Sequence, residues 1–194
     1  MACLDCGLQW QCLCDQVPLL TSEVMLSLLT HENEYQRATN TGRWLVRALT
    51  NAQDFPWQRG HIPTGLLERL NDPRYYSLLV YPSEDSLALE EVLPVITQNH
   101  QQPHFIILDG TWQEAKKIWR KSPWLNMPQV HLSGQYLSNY QLRRNQQTGH
   151  LCTLEVGSEL IKHTGAPAQA TALTHFLTTF SHTLQADKSG HRLR

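Results

Sequence analysis

Short apolar runs in the chain are separated by segments with helical spacing of apolar residues, and this pattern predicts strands that alternate with helices. Strands are predicted in EVMLSLL before His31, in YYSLLVYP at 75–82, in HFIIL at 104–108 and in QVHLS at 129–133. LCTLEV at 151–156 is predicted to end one more strand. This alternation predicts an α/β fold with a mostly parallel sheet and helices on both faces.

The predicted helices have recognisable start signals. The first helix is predicted to follow Asn40 or Thr41, and the second to run from an N-cap at Ser83 to Gln98. A third is predicted at 111–122. A fourth begins at Ser158, and the last covers 173–184. The letters TWQE predict a capping box, in which Thr111 and Glu114 each bond the other's backbone amide. Residues 51–74 are rich in Pro, Gly and Asn and predict a long surface loop with one helical turn near 66–70.

The composition predicts one globular domain with a small appendage, because 194 residues with 41% hydrophobic side chains can bury a core. The formal net charge of -1 provides no overall field for phosphate, so a nucleic acid would need a local basic patch. No apolar run approaches the roughly 20 residues of a membrane span. The start MACLDCGLQW lacks a signal-peptide layout, so we expect a cytoplasmic protein.

Four of the five cysteines lie close together as C-x2-C-x5-C-x-C, at Cys3, Cys6, Cys12 and Cys14. In a reducing compartment this clustering favours a metal over disulfides. Four thiolates can close a tetrahedral zinc shell that folds a segment with almost no core of its own. The alternative is an unstructured tail with reactive thiols. Cys152 is expected to be a small core residue.

Polar residues stand at three predicted strand ends, in YPSED, LDGTW and CTLEV. In parallel sheets, ligands bind outside the carboxyl ends of the strands, where helix N-termini offer unpaired amides. A turn and a helix cap account for Gly110 and Thr111 but not for Asp109. Burial between an apolar strand and a tryptophan would tune this carboxylate to act as a general base.

The helix predicted at 111–122 has two opposite faces. Its apolar arc contains Trp112, Ala115, Ile118 and Trp119. Its basic arc contains Lys116, Lys117, Arg120 and Lys121. The basic arc is either a solvated helix face or a contact for the RNA backbone. Two further basic clusters are Arg43 with Arg47 and Arg143 with Arg144.

Several common catalytic motifs are absent from the sequence, namely G-x-G-x-x-G, G-x-S-x-G and H-E-x-x-H. Their absence disfavours dinucleotide enzymes, serine hydrolases and zinc proteases. His31 lies near Glu32 and Glu34, and we interpret it as a hydrogen-bonded structural residue rather than a metal ligand or an acid–base group.

Five ordered motifs together give the chain a resemblance to a known family. They are the cysteine cluster, TNTGR at 39–43, YPSED at 81–85, DGTW at 109–112 and TLE at 153–155. On these motifs, nearly the whole chain resembles the DTW-domain family of tRNA-uridine aminocarboxypropyltransferases. The chain departs from the expected pattern at Trp44, Cys152 and Val156, where leucine, serine and alanine are expected.

The resemblance implies a relative of the SPOUT methyltransferases, with a C-terminal trefoil knot that binds S-adenosylmethionine. It implies a zinc knuckle at 1–18, a catalytic domain at 19–185 and a flexible basic tail at 186–194. It further implies transfer of the aminocarboxypropyl group to N3 of a tRNA uridine, in the variable loop, with release of methylthioadenosine. No obligatory protein partner and no membrane are expected.

The resemblance also implies roles for individual residues. Asp109 is expected to accept the N3 proton. The residues expected to bind the cofactor are Tyr81, Pro82, Ser83, Leu108, Gly110, Thr111, Trp112, Thr153 and Glu155. The residues expected to bind RNA are Asn40, Thr41, Arg43, Lys117, Arg120, Lys121, Arg143 and Arg144. Trp112 is expected to pack against the adenine or the uracil, and the alternatives are a core position for Trp112 and structural roles for Thr153 and Glu155.

Two other functions compete with this one. The first is an RNA methyltransferase that uses the same donor, and the second is a non-catalytic, zinc-bearing RNA-binding module. The first would move the methyl group of S-adenosylmethionine, and the second would not bind that donor.

Overall fold

The computed structural model describes residues 2–134, 136–138, 140 and 151–193. Two compact units make up the chain. The sheet unit contains residues 21–36 and 49–134, and the helical unit contains residues 1–20, 37–48 and 135–194.

The sheet unit contains a parallel sheet of six strands, which confirms the predicted α/β class. The strands lie side by side in the order β2-β1-β5-β3-β6-β4, and every pairing between them is parallel. In chain order they are β1 Met25–Thr30, β2 Ala52–Pro56, β3 Tyr75–Val80, β4 Leu87–Ala88, β5 Gln102–Asp109 and β6 Gln129–His131.

Six α-helices occur in the described ranges, three in each unit. In chain order they are α1 Gly42–Ala48, α2 Thr64–Leu70, α3 Leu89–Gln98, α4 Trp112–Lys121, α5 Thr153–His163 and α6 Pro167–Lys188. Short 3-10 helices lie at Cys14–Gln16 and Glu32–Gln36. No helix in the described part of the chain is both long and apolar enough to cross a membrane.

One core of the sheet unit joins a face of the sheet to helices α2 and α4. Its members are Leu29, Phe55, Leu66, Leu79, Tyr81, Ile106, Leu108, Ala115, Ile118 and Leu125. Side chains alternate between the two faces of a strand, so the neighbours Thr30, Asp54 and Asp109 belong to the opposite face. This alternation separates the apolar packing from the polar groups at the end of the sheet.

The helical unit is built around Trp44, which is completely buried. Its ring lies 5.3 Å from those of Phe176 and Phe180, which confirms the predicted amphipathic final helix. A Cβ added at Gly157 would lie 2.4 Å from Leu45 Cδ2, so α1 and α5 approach closely only because this position is glycine.

Three predicted elements were wrong. Residues 51–74 contain β2 and so are not one long loop, although α2 confirms the helical turn predicted near 66–70. Ala88, not Ser83, precedes α3. LCTLEV is not a strand end, because α5 begins at Thr153. The sequence of β2, AQDFP, buries one side chain and ends in proline, so it has no apolar run to detect.

The start and the end of the helical unit are joined by side-chain bonds. Helix α6 continues to Lys188, so the first three residues of the predicted tail are helical. Arg192 Nε donates to Trp10 O at 2.8 Å. Asp187 Oδ1 accepts from Gln9 N at 2.7 Å and Trp10 N at 2.8 Å.

A buried histidine connects the three central strands of the sheet. The Nε2 of His104 lies 2.8 Å from Ser27 Oγ, and its Nδ1 lies 2.9 Å from Ser77 Oγ. Burial, and next the charge of Arg69, lowers the pKa of His104 to about 4. The folded state therefore holds a neutral imidazole over a pH range in which the unfolded chain takes up a proton.

Stability is expected to fall as the pH falls from about 6.5 to about 4, because only the unfolded state binds a proton to this ring in that window. At pH 4.5 the loss amounts to about 2–3 kcal/mol of the free energy of unfolding. His104→Gln keeps hydrogen-bonding groups without this titration, so urea unfolding should show a flatter pH dependence. The exposed His61→Gln variant should follow the wild type. The same pH slope in His104→Gln and the wild type would contradict the assignment.

Candidate functional site

The carboxyl ends of β1, β5 and β3 lie side by side at one edge of the sheet. Thr30 lies opposite Asp109 in the register of β1 and β5, and Val80 lies opposite Ile107 in that of β3 and β5. The backbone amide of His31 donates to Asp109 O at 2.9 Å and adds one hydrogen bond beyond the strand. Asp109 is 1% exposed, so it is a buried carboxylate at the edge where ligands bind in such sheets.

Two residues that the sequence analysis missed, Asp54 and Tyr35, lie close to this edge. Thr30 Oγ1 donates to Asp54 Oδ1, and Tyr35 Oη donates to Asp54 Oδ2 at 2.6 Å. Burial, then the bond to Asp54, raises the pKa of Tyr35, and the charge of Asp109 raises it further. The phenol therefore remains a hydrogen-bond donor. Asp54 could have been found only by recognising β2 in the sequence, and those residues were predicted to form a loop.

The capping box predicted in DGTW is present at the start of α4. Thr111 N donates to Glu114 Oε2 at 2.8 Å, and Glu114 N donates to Thr111 Oγ1 at 3.3 Å. The other carboxylate oxygen, Oε1, accepts from Asn33 Nδ2 at 2.7 Å. Glu114 thus joins the start of α4 to the segment that follows β1.

Gly110 allows this carboxylate to approach the turn. A Cβ at Gly110 would lie 2.9 Å from Glu114 Cβ and 3.4 Å from Glu114 Oε2. The first distance is shorter than two carbon atoms tolerate, so a larger residue would displace Glu114. The glycine of DGTW is therefore required by packing against the helix cap.

His31 is hydrogen-bonded and 3% exposed, which confirms its interpretation as a structural residue. Its Nδ1 accepts from Asn33 N at 3.3 Å and lies 3.6 Å from Glu114 Oε1. Its ring stacks on Trp57 with 5.7 Å between centroids, and Lys117 Nζ lies 3.3 Å from His31 Nε2. Lys117 therefore turns back toward the end of β1.

The remainder of α4 follows the predicted division into two faces. Ala115 and Ile118 are buried, while the side chains of Lys116, Arg120 and Lys121 are exposed. Trp112 is 45% exposed, so the alternative of a core position was wrong. This partly exposed residue lies at the start of the helix, two residues after the turn glycine.

The loop after β3 combines core residues with a buried hydroxyl. The ring of Tyr81 packs at a tilt against Trp119 with 4.9 Å between centroids, and the side chain shares the core with Leu108. Pro82 is exposed. Ser83 Oγ is buried and has no hydrogen-bond partner within the described residues. Such a group costs about 1–3 kcal/mol, so it fits a position that a ligand completes.

The TLE motif lies in the helical unit, at the start of α5. Glu155 Oε2 accepts from Cys152 N at 2.8 Å and from Ser138 Oγ at 2.7 Å, and the first bond caps α5. Thr153 is 6% exposed. Cys152 is completely buried, which confirms its predicted core position.

The TNTGR motif forms the start of α1. Asn40 Oδ1 accepts from Arg43 N at 2.8 Å, and Thr41 Oγ1 accepts from Leu154 N at 3.3 Å. Arg43 lies over the ring of Trp44 at 5.1 Å, and burial lowers the pKa of its guanidinium. The predicted RNA-binding residues Arg143 and Arg144 lie outside the described residues.

The four clustered cysteines bring their sulfur atoms within 4.8 Å of one another. Cys3 Sγ lies 3.8 Å from Cys14 Sγ and 3.5 Å from Cys12 Sγ, and Cys6 Sγ lies 3.9 Å from Cys12 Sγ. A tetrahedral zinc with bonds of about 2.3 Å has sulfur–sulfur edges of about 3.8 Å. The cluster therefore fits zinc. Backbone amides of Cys6 and Asp5 lower the pKa of Cys3 to about 6.

Gly110→Ala is expected to lower the free energy of unfolding by about 1–2 kcal/mol, because the added methyl displaces the Glu114 cap. Gln113→Ala, an exposed change in the first turn of the same helix, should cost less than about 0.5 kcal/mol. Urea unfolding at neutral pH measures both. Equal stability of the two variants would show that the packing of Gly110 against Glu114 does not matter.

Comparisons with known proteins agree with the motifs described above. The DTW domain model matches residues 1–185. A tRNA-uridine aminocarboxypropyltransferase 2 of Drosophila melanogaster is 32% identical over 163 residues, covering 77% of this chain and 61% of that protein. The protein of the same name from Mus musculus is 29% identical over 158 residues, covering 74% of this chain and 49% of that protein.

The chain spans about half to three fifths of the length of these curated relatives. No solved structure matches the chain. The family is nevertheless shown by the domain match, which covers almost every residue and includes each motif described above. This chain belongs to the DTW domain family.

Proposed function

We propose that this chain transfers the 3-amino-3-carboxypropyl group of S-adenosylmethionine to N3 of a tRNA uridine. The observation that carries the proposal is the buried carboxylate of Asp109 at the carboxyl edge of the sheet, inside the DGTW motif. Two relatives in the family are named tRNA-uridine aminocarboxypropyltransferases. The product would be 3-(3-amino-3-carboxypropyl)uridine, in the variable loop.

Asp109 acts in the proposed reaction as the general base. The N3 proton passes to its carboxylate, and the N3 electron pair forms a bond to the γ-carbon of the transferred group. The electrons of the broken carbon–sulfur bond leave with the sulfur as neutral methylthioadenosine. A sulfonium is already an activated electrophile, so the protein mainly aligns the two reactants.

The donor is proposed to bind against the loops that follow β3 and β5. Ser83 supplies a buried hydroxyl that lacks a partner within the described ranges, and Trp112 supplies an exposed aromatic ring. The positive end of the α4 dipole suits the carboxylate of the donor. The full set proposed to bind the donor is Tyr81, Pro82, Ser83, Leu108, Gly110, Thr111, Trp112, Thr153 and Glu155.

The tRNA is proposed to bind through local basic groups, since the net charge of the chain is -1. Arg120 and Lys121 are exposed on α4. Asn40 and Thr41 are buried, so they would act by holding the start of α1 and the backbone of Arg43. The full set is Asn40, Thr41, Arg43, Lys117, Arg120, Lys121, Arg143 and Arg144.

Zinc is the proposed metal of the N-terminal segment, held by Cys3, Cys6, Cys12 and Cys14. We further propose a knuckle at 1–18, a catalytic domain at 19–185, and a SPOUT-like fold with a C-terminal trefoil knot. We propose that the protein lies in the cytoplasm, where reduced thiols remain available to the metal. The zinc is structural because four thiolates leave no open coordination position.

The reaction is tested by incubating the protein with tRNA and S-adenosylmethionine labelled in either the carboxyl or the methyl group. Only the carboxyl label is expected in the tRNA. Asp109→Asn should reduce turnover at least about a hundredfold, because the amide cannot accept the N3 proton. The exposed Glu68→Gln likewise converts a carboxylate to an amide, on α2, and should retain activity.

Other outcomes of this experiment identify the competing functions. Methyl label in the tRNA indicates a methyltransferase. RNA binding with no affinity for S-adenosylmethionine in calorimetry indicates a non-catalytic module. Normal turnover in Asp109→Asn, with the fold checked by thermal unfolding, removes Asp109 from the role of base.

The metal is tested by measuring zinc in the purified protein. One zinc per chain is expected, and Cys6→Ser should lose most of it because one of four ligands is gone. Cys152→Ser is the matched control, since this buried cysteine is not part of the cluster. A wild-type protein without zinc, or a Cys6→Ser variant with full zinc, would contradict the assignment.

A further inference from the structure

Tyr35 combines an exposed ring with an anchored hydroxyl. The residue is 51% exposed and lies on the 3-10 helix Glu32–Gln36. Its Oη nevertheless donates to Asp54 Oδ2 at 2.6 Å. One end of the side chain is therefore fixed while a large part of its surface remains open to a ligand.

The group that holds Tyr35 is itself held by the sheet. Asp54 lies in β2, opposite Leu28 of β1, and its second oxygen accepts from Thr30 Oγ1. Both oxygens of Asp54 thus accept a hydroxyl hydrogen bond from a different element. An aromatic side chain anchored in this way loses little additional rotational freedom when a ligand stacks on it.

Tyr35 lies close to Asp109. Thr30, which bonds Asp54, is the register partner of Asp109 across β1 and β5. Strand alternation places Thr30, Asp54 and Asp109 on the same face of the sheet. The charge of Asp109 raises the pKa of the Tyr35 hydroxyl, in agreement with this shared face.

The segment that carries Tyr35 is tied to the same site at a second point. Asn33 Nδ2 donates to Glu114 Oε1 at 2.7 Å, and Glu114 caps the helix that follows Asp109. The 3-10 helix Glu32–Gln36 is therefore bound to both β2 and α4. Its aromatic ring has a defined position relative to the DGTW turn.

We propose that Tyr35 is the surface on which a planar heterocyclic base stacks in this site, and that Asp54 and Thr30 are positioning residues that hold its ring. The inference rests on the proposed function, because the reaction brings two such bases together. They are the uracil of the tRNA and the adenine of the donor. Bases taken out of an RNA helix are commonly held against aromatic side chains.

The arrangement favours stacking over acid–base chemistry for Tyr35. Its hydroxyl already donates to Asp54, and its raised pKa keeps it protonated at neutral pH. A group in this state does not exchange protons with a substrate. The ring, and not the hydroxyl, is the part of Tyr35 that is left to contact a ligand.

The test compares Tyr35→Ala, Tyr35→Phe and Tyr75→Ala in the transfer reaction, with each substrate varied in turn. Tyr35→Ala should raise the KM of one substrate roughly tenfold to a hundredfold, because a stacking surface is lost. Tyr35→Phe keeps the ring and should change that KM by less than about fivefold. Tyr75→Ala makes the same truncation at the amino end of β3 and should behave as the wild type.

The substrate whose KM rises identifies the stacked base, since tRNA brings the uracil and S-adenosylmethionine brings the adenine. Asp54→Ala should change this KM about as much as Tyr35→Phe does. The double variant Tyr35→Phe with Asp54→Ala should have the same KM as Asp54→Ala alone. Such non-additivity indicates that Asp54 acts through Tyr35. A purely structural role would instead lower kcat and thermal stability without raising one KM.

Either of two results overturns the inference. In the first, Tyr35→Ala and Tyr75→Ala have equal KM values for both substrates. In the second, Tyr35→Ala and Tyr35→Phe raise the KM equally. If the wild type binds tRNA and S-adenosylmethionine but transfers nothing, the proposed function fails. The dissociation constants of the same variants, measured by filter binding and calorimetry, then decide the stacking inference independently.

Discussion

The hydrogen bond from His31 N to Asp109 O is the constraint on which the site depends. It extends the parallel pairing of β1 and β5 beyond the last residue of β1, so the two strands end side by side at the same edge of the sheet. Strand alternation then sends Thr30 and Asp109 to one face and His31 to the other. The backbone bond thus fixes where the two strands end, and alternation fixes which face each side chain takes.

Glu114 connects the packed side of this edge to the start of α4. A capping-box glutamate needs only one oxygen for the helix, and here the second oxygen accepts from Asn33. The same carboxylate lies 3.6 Å from His31 Nδ1. Because the cap is shared, the position of the DGTW turn and that of the segment after β1 are coupled. Gly110 is the residue that gives the carboxylate room.

Local signals account for what the sequence predicted correctly. The apolar run of β5 and the TWQE capping box depend on neighbouring residues, and both are present in the structure. Strand β2 has no apolar run, because only Phe55 of its five residues is buried. LCTLEV was predicted to end a strand, yet Glu155 caps the helix that begins there.

The residues that sequence analysis missed are those whose roles arise from tertiary contacts. Asp54 and Tyr35 are 19 positions apart and meet only because β2 pairs with β1. Asp54 accepts two hydroxyl bonds and so uses its oxygens to hold other side chains. Asp109, by contrast, ends the central strand and starts the turn into α4. Two carboxylates therefore lie on one face of the sheet, where Asp54 holds Thr30 and Tyr35 and Asp109 is the proposed base.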